Sequence, residues 1–126
     1  LVGNGSQKRD FVYVTDVVNA FYLAAVSKIS GEIYNLGAGN PQTIKKLIQL
    51  IKGDYVNLPK RPGEPNSTHA NITKIKKQLK WKPKIKFESG VKMMLENIND
   101  WKKAPTWNIE KIKVATKDWF KFMGNR

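Results

Sequence analysis

Cysteine is absent from these 126 residues, and histidine occurs once. The first absence removes disulfides, thiolate nucleophiles and cysteine-held zinc, and the second removes any multi-histidine metal site. No apolar run approaches the roughly 18 residues that a membrane span needs. The opening Leu1-Val2-Gly3-Asn4-Gly5 has neither the basic start nor the apolar stretch of a signal peptide, so a cytoplasmic protein is expected. There is no starting Met, and a chain that opens on a Gly-rich loop reads as a segment cut from a longer protein. What is present, 40% apolar and 26% charged residues, suits one modest core in a globular domain.

Acidic residues are scarce: 10 stand against 23 basic ones, for a net charge of +13. Such a balance admits a basic nucleic-acid or polyanion-binding module. The distribution argues against it. Residues 1 to 40 sum to zero, whereas 60 to 86 carry +8. In that stretch Lys74, Lys76, Lys77, Lys80, Lys82, Lys84 and Lys86 accumulate without the interleaved aromatics of a single-strand binder. A solvated lysine face is the expectation, one that also draws anionic ligands towards the molecule. Arginine is scarcer still, at Arg9, Arg61 and the terminal Arg126. In a chain that otherwise uses lysine, an internal arginine suggests a need for a planar, bidentate fork, and phosphate recognition is a common reason.

Periodicity predicts strands over Arg9 to Val14, Glu32 to Leu36 and Asp54 to Leu58, and five helices. The first helix is expected from a Thr15 cap to Ser27, with Val17, Val18, Phe21, Ala24 and Ala25 as its apolar stripe. The second runs from about Thr43 to Ile51. The third starts from an Asn71 or Thr73 cap and ends at Leu79, with Ile72, Ile75 and Leu79 inward. The fourth spans Glu88 to Trp101 with Val91, Met94, Leu95, Ile98 and Trp101 on one side. The last is capped by Asn108 and ends near Gly124 as a C′ glycine. Between them, Gly37-Ala38-Gly39-Asn40 is a tight turn that Asn35 is expected to hold. Pro59 to Pro65 is a loop whose three prolines set a defined path. His69 reads as an ordinary loop residue.

The segment Gly3-Asn4-Gly5-Ser6-Gln7-Lys8-Arg9-Asp10-Phe11-Val12-Tyr13-Val14-Thr15-Asp16-Val17-Val18 resembles the G-x-G-x-x-x-R-D-[FY]-[IV]-[YH]-V-x-D-[VL] run of extended short-chain dehydrogenases/reductases (SDRs) acting on nucleotide sugars. Tyr34-Asn35-Leu36-Gly37-Ala38-Gly39 is similar to that family's Y-N-[IVL]-G-x-G. Arg61-Pro62-Gly63-Glu64, Ala70-Asn71-Ile72-Thr73-Lys74 and Leu79-Lys80-Trp81-Lys82-Pro83 are similar to its R-P-G-[DE], A-D-x-[ST]-K and L-G-W-x-P elements. Asn71 replaces the usual Asp, and Lys80 stands where Gly is common, so a left-handed Lys80 costs about 1 kcal/mol.

The resemblance implies an α/β fold: the C-terminal segment of a Rossmann-like extended SDR, contributing late strands of the sheet and most of a small substrate lobe. Residues 1–58 would belong to the sheet, 59–103 to the lobe and 104–126 to a helical extension. It further implies a nucleoside-diphosphate sugar as partner, with Arg9 and Arg61 at the diphosphate and Glu64 at the ribose hydroxyls. NAD is implied as the cofactor of a homodimeric full-length protein, in which transient oxidation of the sugar precedes epimerisation, dehydration or decarboxylation. Two family features have no counterpart here. There is no G-x-x-G-x-x-G turn to cradle a dinucleotide. Nor is there a Y-x-x-x-K pair, since Tyr13, Tyr22, Tyr34 and Tyr55 are followed four residues on by Val17, Val26, Ala38 and Pro59. The chain is therefore expected to hold part of the substrate site, with the cofactor motif and the catalytic residues upstream.

Overall fold

A computed structural model describes residues 1–124; Asn125 and Arg126, the end of the expected 104–126 extension, lie outside them. Five α-helices follow in order: α1 (Val14–Val26), α2 (Ile44–Ile51), α3 (Thr73–Leu79), α4 (Phe87–Glu96) and α5 (Ile109–Met123). A 3-10 turn, Ile98–Trp101, follows α4. Two short strands, β1 (Lys8–Arg9) and β2 (Gln42–Thr43), pair antiparallel with Lys8 opposite Thr43 and Arg9 opposite Gln42. On its other side Lys8 meets the chain near Ser67: its N–H donates to the Asn66 carbonyl at 2.8 Å and its carbonyl accepts from Thr68 N–H at 3.1 Å.

The helix count agrees with the periodicity, but the strands are shorter than expected. Asp10 to Val14 and Glu32 to Leu36 form no ladder, and Asp54 to Leu58 contributes only a bridge from Leu58 to Val2. The physical reason is that a strand exists through its neighbour. β-branched sequence makes a segment fit for pairing, and among the described residues no partner backbone forms a ladder with these segments beyond the single Val2–Leu58 bridge.

The core is small and sits where α1 meets α3. Ala20, Ile72, Ile75, Leu79 and Trp81 are buried, with Val12, Leu23, Tyr34, Leu36 and Ala70 packed against them. Thus Ile72, Ile75 and Leu79 point inward as their spacing requires. On α1 the expected stripe is wrong: Val18, Phe21, Ala24 and Ala25 are exposed, and the inward positions are Asp16 and Ala20. A carboxylate takes a core position because one of its oxygens is doubly hydrogen-bonded there. Asp16 Oδ2 accepts from the backbone N–H groups of Lys84 and Ile85, both at 3.0 Å, and the Asp16 carbonyl accepts from Trp81 Nε1 at 2.9 Å. Those three bonds fasten the start of α1 to the segment leaving α3, which ends the helix before Pro83.

Helix boundaries show which local signals act. Thr43 caps α2 by accepting from Lys46 N–H at 3.1 Å, and Asn108 caps α5 by accepting from Lys111 N–H at 2.9 Å. Thr15 caps nothing: α1 begins at Val14 after an extended Tyr13. Neither Asn71 nor Thr73 is the cap of α3, which is Ile72; Asn71 Oδ1 instead accepts from Thr73 N–H at 3.0 Å. α3 closes on Lys80 at φ 54°, the left-handed conformation that costs a non-glycine residue about 1 kcal/mol. α4 stops at Glu96 rather than running to Trp101, because Asn97 turns out of the helix and its Nδ2 donates to the Met93 carbonyl. Ile98 and Trp101 are consequently exposed. Gly124 closes α5 at φ −76°, without the left-handed turn of a C′ glycine.

Side-chain pairs tie the elements across their exposed rims. Lys46 on α2 pairs with Glu88 on α4, and Lys74 on α3 reaches Glu32 at 2.6 Å. Hydrogen bonding and charge from Lys74 hold the Glu32 carboxyl below the usual carboxylate range, and a hydrogen bond from Lys46 does the same for Glu88. Among the described residues no helix is long and apolar enough to cross a membrane.

Candidate functional site

Arg9 ends β1, and β1 is held between β2 and the Asn66–Thr68 backbone, so the arginine projects where the proline loop 59–65 returns. Its Nη2 donates to Glu64 Oε1 at 2.9 Å. Its Nη1 donates to the carbonyls of Lys8 at 2.8 Å and Pro65 at 3.0 Å. Both partners of this pair are only partly accessible, at 24% and 20% of their side-chain surface. The sequence offers Asp10 and Asp16 as nearby acids, yet neither is the arginine's partner. The carboxylate that meets Arg9 lies 55 positions on.

Arg61 and Glu64 occupy the same turn, which Glu64 N–H closes on the Arg61 carbonyl at 3.4 Å. Arg61 is half-buried, and among the described residues its guanidinium has no hydrogen bond or ion pair. Glu64 Oε2 is buried and takes no hydrogen bond, which leaves one carboxylate oxygen as an acceptor. Gly63 lies at φ +72°, a conformation that a side chain resists. Lys60 Nζ reaches Asn66 Oδ1 at 3.2 Å across the base of the loop. The structure therefore gathers all three residues singled out from the sequence on or against one short loop, with Arg9 and Glu64 bonded to each other. This geometry offers one planar cation without a partner, a second already engaged, and a free carboxylate oxygen.

Sequence reading missed the group that organises the neighbouring turn. Asp10 accepts from four backbone N–H groups: Ala38 at 2.9 Å, Gly39 at 3.2 Å, Asn40 at 3.4 Å and Ala70 at 3.0 Å. Asn35, expected to hold this turn, makes no side-chain hydrogen bond among the described residues and is exposed. Gly37 is required sterically, since a Cβ there would overlap the Asp10 carboxylate and the Ala70 side chain. The available signal was an aspartate inside an apolar strand-like run, a placement that is rare unless the charge is bonded. His69 is an exposed loop residue, as read. No group of three His, Asp or Glu side chains able to hold a metal exists among the described residues.

The described residues do not fit a dinucleotide's pyrophosphate at α2, the helix that follows a glycine-containing loop. Its first amides are already bonded, Ile44 to the Gln7 carbonyl, Lys45 to the Gly5 carbonyl and Lys46 to Thr43 Oγ1. A groove of about 500 Å³ between α2 and α4 is lined by apolar groups such as Phe11, Leu47, Phe87 and Leu95 and by none of Arg9, Arg61 or Glu64. Its chemistry suits apolar packing rather than a charged nucleotide.

Helices and short strands in this order define an α/β segment of a Rossmann-like extended SDR. UDP-glucose 4-epimerase from Thermotoga maritima, solved with UDP-glucose, superposes with a TM-score of 0.72 at 35% identity over 79% of this chain and 34% of that one. dTDP-glucose 4,6-dehydratase from Bacillus anthracis, solved with NAD, does so at 0.68 and 26% identity over 79% of this chain and 34% of that one. The family model described as GDP-mannose 4,6 dehydratase matches residues 1–94. This chain belongs to the NAD-dependent nucleotide-sugar epimerase/dehydratase family. UDP-glucuronate 4-epimerase of Thermodesulfobacterium geofontis is 34% identical over 90% of this chain and 36% of its own length. Human dTDP-D-glucose 4,6-dehydratase is 36% identical over 86% of this chain and 34% of its own length. The chain thus spans about a third of the relatives it matches.

Proposed function

We propose that this chain is the substrate-binding portion of an NAD-dependent nucleotide-sugar epimerase or dehydratase, with NAD and the catalytic Tyr/Lys pair held by an upstream portion. In that reading residues 1–58 serve the sheet and its loop, 59–103 the substrate lobe and 104–126 a helical extension, within a homodimeric cytoplasmic protein. The observation that supports it most is the convergence of β1 and the proline loop, which brings Arg9 against Glu64 and Pro65, three and four residues beyond Arg61. Arg61 supplies a guanidinium fork to the diphosphate. Glu64 serves the ribose hydroxyls and orients Arg9 through Oε1. A diphosphate approaching Arg9 meets the donors of that guanidinium not engaged by Glu64, Lys8 and Pro65. Holding the nucleoside diphosphate rigidly fixes where the sugar ring lies, which is this portion's contribution to rate.

The test is titration of the full-length protein with UDP- and dTDP-sugars, set against duplex and single-stranded DNA at two salt concentrations. The expected result is a nucleoside-diphosphate preference that Arg61→Lys weakens about tenfold, because a point charge replaces a bidentate fork. Steeply salt-dependent DNA binding without that preference would establish the polyanion-binding alternative instead.

A further inference from the structure

The C-terminal helix lies outside the stretch matched by the family model, which ends at residue 94. Its last two turns nevertheless touch the proline loop at two points. Trp119 Nε1 donates to the Pro62 carbonyl at 2.7 Å. The Met123 methyl lies so close to Gly63 that a Cβ built there would stand 2.8 Å from it. Each contact falls on Pro62 or Gly63, between Arg61 and Glu64. Arg9 grips the same loop further on, at Glu64 and at the Pro65 carbonyl.

We infer that α5 is the second jaw of a clamp on this loop and that Trp119 is a positioning residue for Arg61, setting affinity for the nucleoside diphosphate without touching it. The inference rests on the diphosphate reading of Arg61 given above. Arg61 has a long side chain whose entropy must be lost on binding, and the backbone beneath it is a turn closed by one weak 3.4 Å hydrogen bond. Anchoring the adjacent carbonyl lowers the ordering cost of that turn, and pre-organisation of this kind appears directly in affinity. Trp119 is 43% exposed and contributes to no buried core, so its indole N–H is better explained by the loop it holds than by packing. Gly63 supplies the left-handed backbone of the turn, with the Met123 methyl packed against it.

The experiment is a double-mutant cycle in the full-length protein with UDP as the probe, read by calorimetry, with the melting midpoint followed in parallel. Trp119→Phe keeps the ring and removes the donor. It should weaken UDP binding about three- to tenfold, the worth of one hydrogen bond, with little change in melting midpoint. In an Arg61→Lys background the same change should have a much smaller effect, because the residue acts through the fork it positions. Met123→Ala, at the exposed end of α5, should show the same coupling and serves if Trp119→Phe does not fold. Loss of affinity equal in both backgrounds, or no loss in either, overturns the positioning role. If Arg61→Lys itself leaves UDP affinity unchanged, the diphosphate reading fails instead.

Discussion

Asp10 illustrates how one side chain can organise a site it does not enter. Its two oxygens receive four backbone N–H groups, three from the Gly37–Asn40 turn and one from Ala70 beyond the proline loop. The turn and the segment at Ala70 are thereby fixed relative to the β1 segment that carries Arg9. Asp10→Asn replaces one acceptor oxygen with a donor that faces N–H groups. It should cost about 1–3 kcal/mol through unsatisfied donors, read as a fall in the urea midpoint, and should raise amide exchange across 37–40. A midpoint within error of the parent protein would show that the hydrogen bonds seen here contribute nothing net. Gly37 faces the same carboxylate, so its need for glycine is one of space rather than of φ.

At the scale of elements, α3 shows a local preference overruled by what surrounds it. Lys80 closes the helix in a left-handed conformation because Leu79 and Trp81, on either side, must both be buried, with Trp81 only 1% exposed. Packing of those two side chains outweighs the strain between them. Lys80→Gly should therefore stabilise the chain by about 1 kcal/mol, measured as an upward shift in melting midpoint. No shift, or a downward one, would mean that the lysine stem contributes packing that the strain argument omits. The end of α4 follows the same logic in reverse: Asn97 stops the helix locally, and the apolar spacing that continues through Ile98 and Trp101 has no surface to bury against.

The whole molecule buries little for its length. Five hydrophobic side chains form its core, while Phe21 remains 70% and Ile33 84% exposed. Together with Val14, Val18 and Tyr22, Phe21 makes an apolar outer face on α1, and of these Val18 and Phe21 are positions whose spacing marked them as inward. Exposed apolar area of this kind binds hydrophobic dyes. Phe21→Ser should lower dye fluorescence while changing stability by no more than about 0.5 kcal/mol, as expected of a surface site. A large loss of stability would show that Phe21 is packed in solution.

The sequence alone determined the features that act within a few residues. These include the five helical segments, the Asn108 cap, the inward face of α3 and the loop bearing Arg61 and Glu64. They were legible because helix periodicity, capping and turn chemistry are local. Only the tertiary structure decided that Arg9 meets Glu64, that Asp10 and Asp16 bond backbone amides rather than arginine, that the strand-like segments have no ladder, and that α5 grips the proline loop. Each depends on groups far apart in the chain, and a carboxylate's choice among partners follows from which donors the fold delivers to it, which no local spacing encodes.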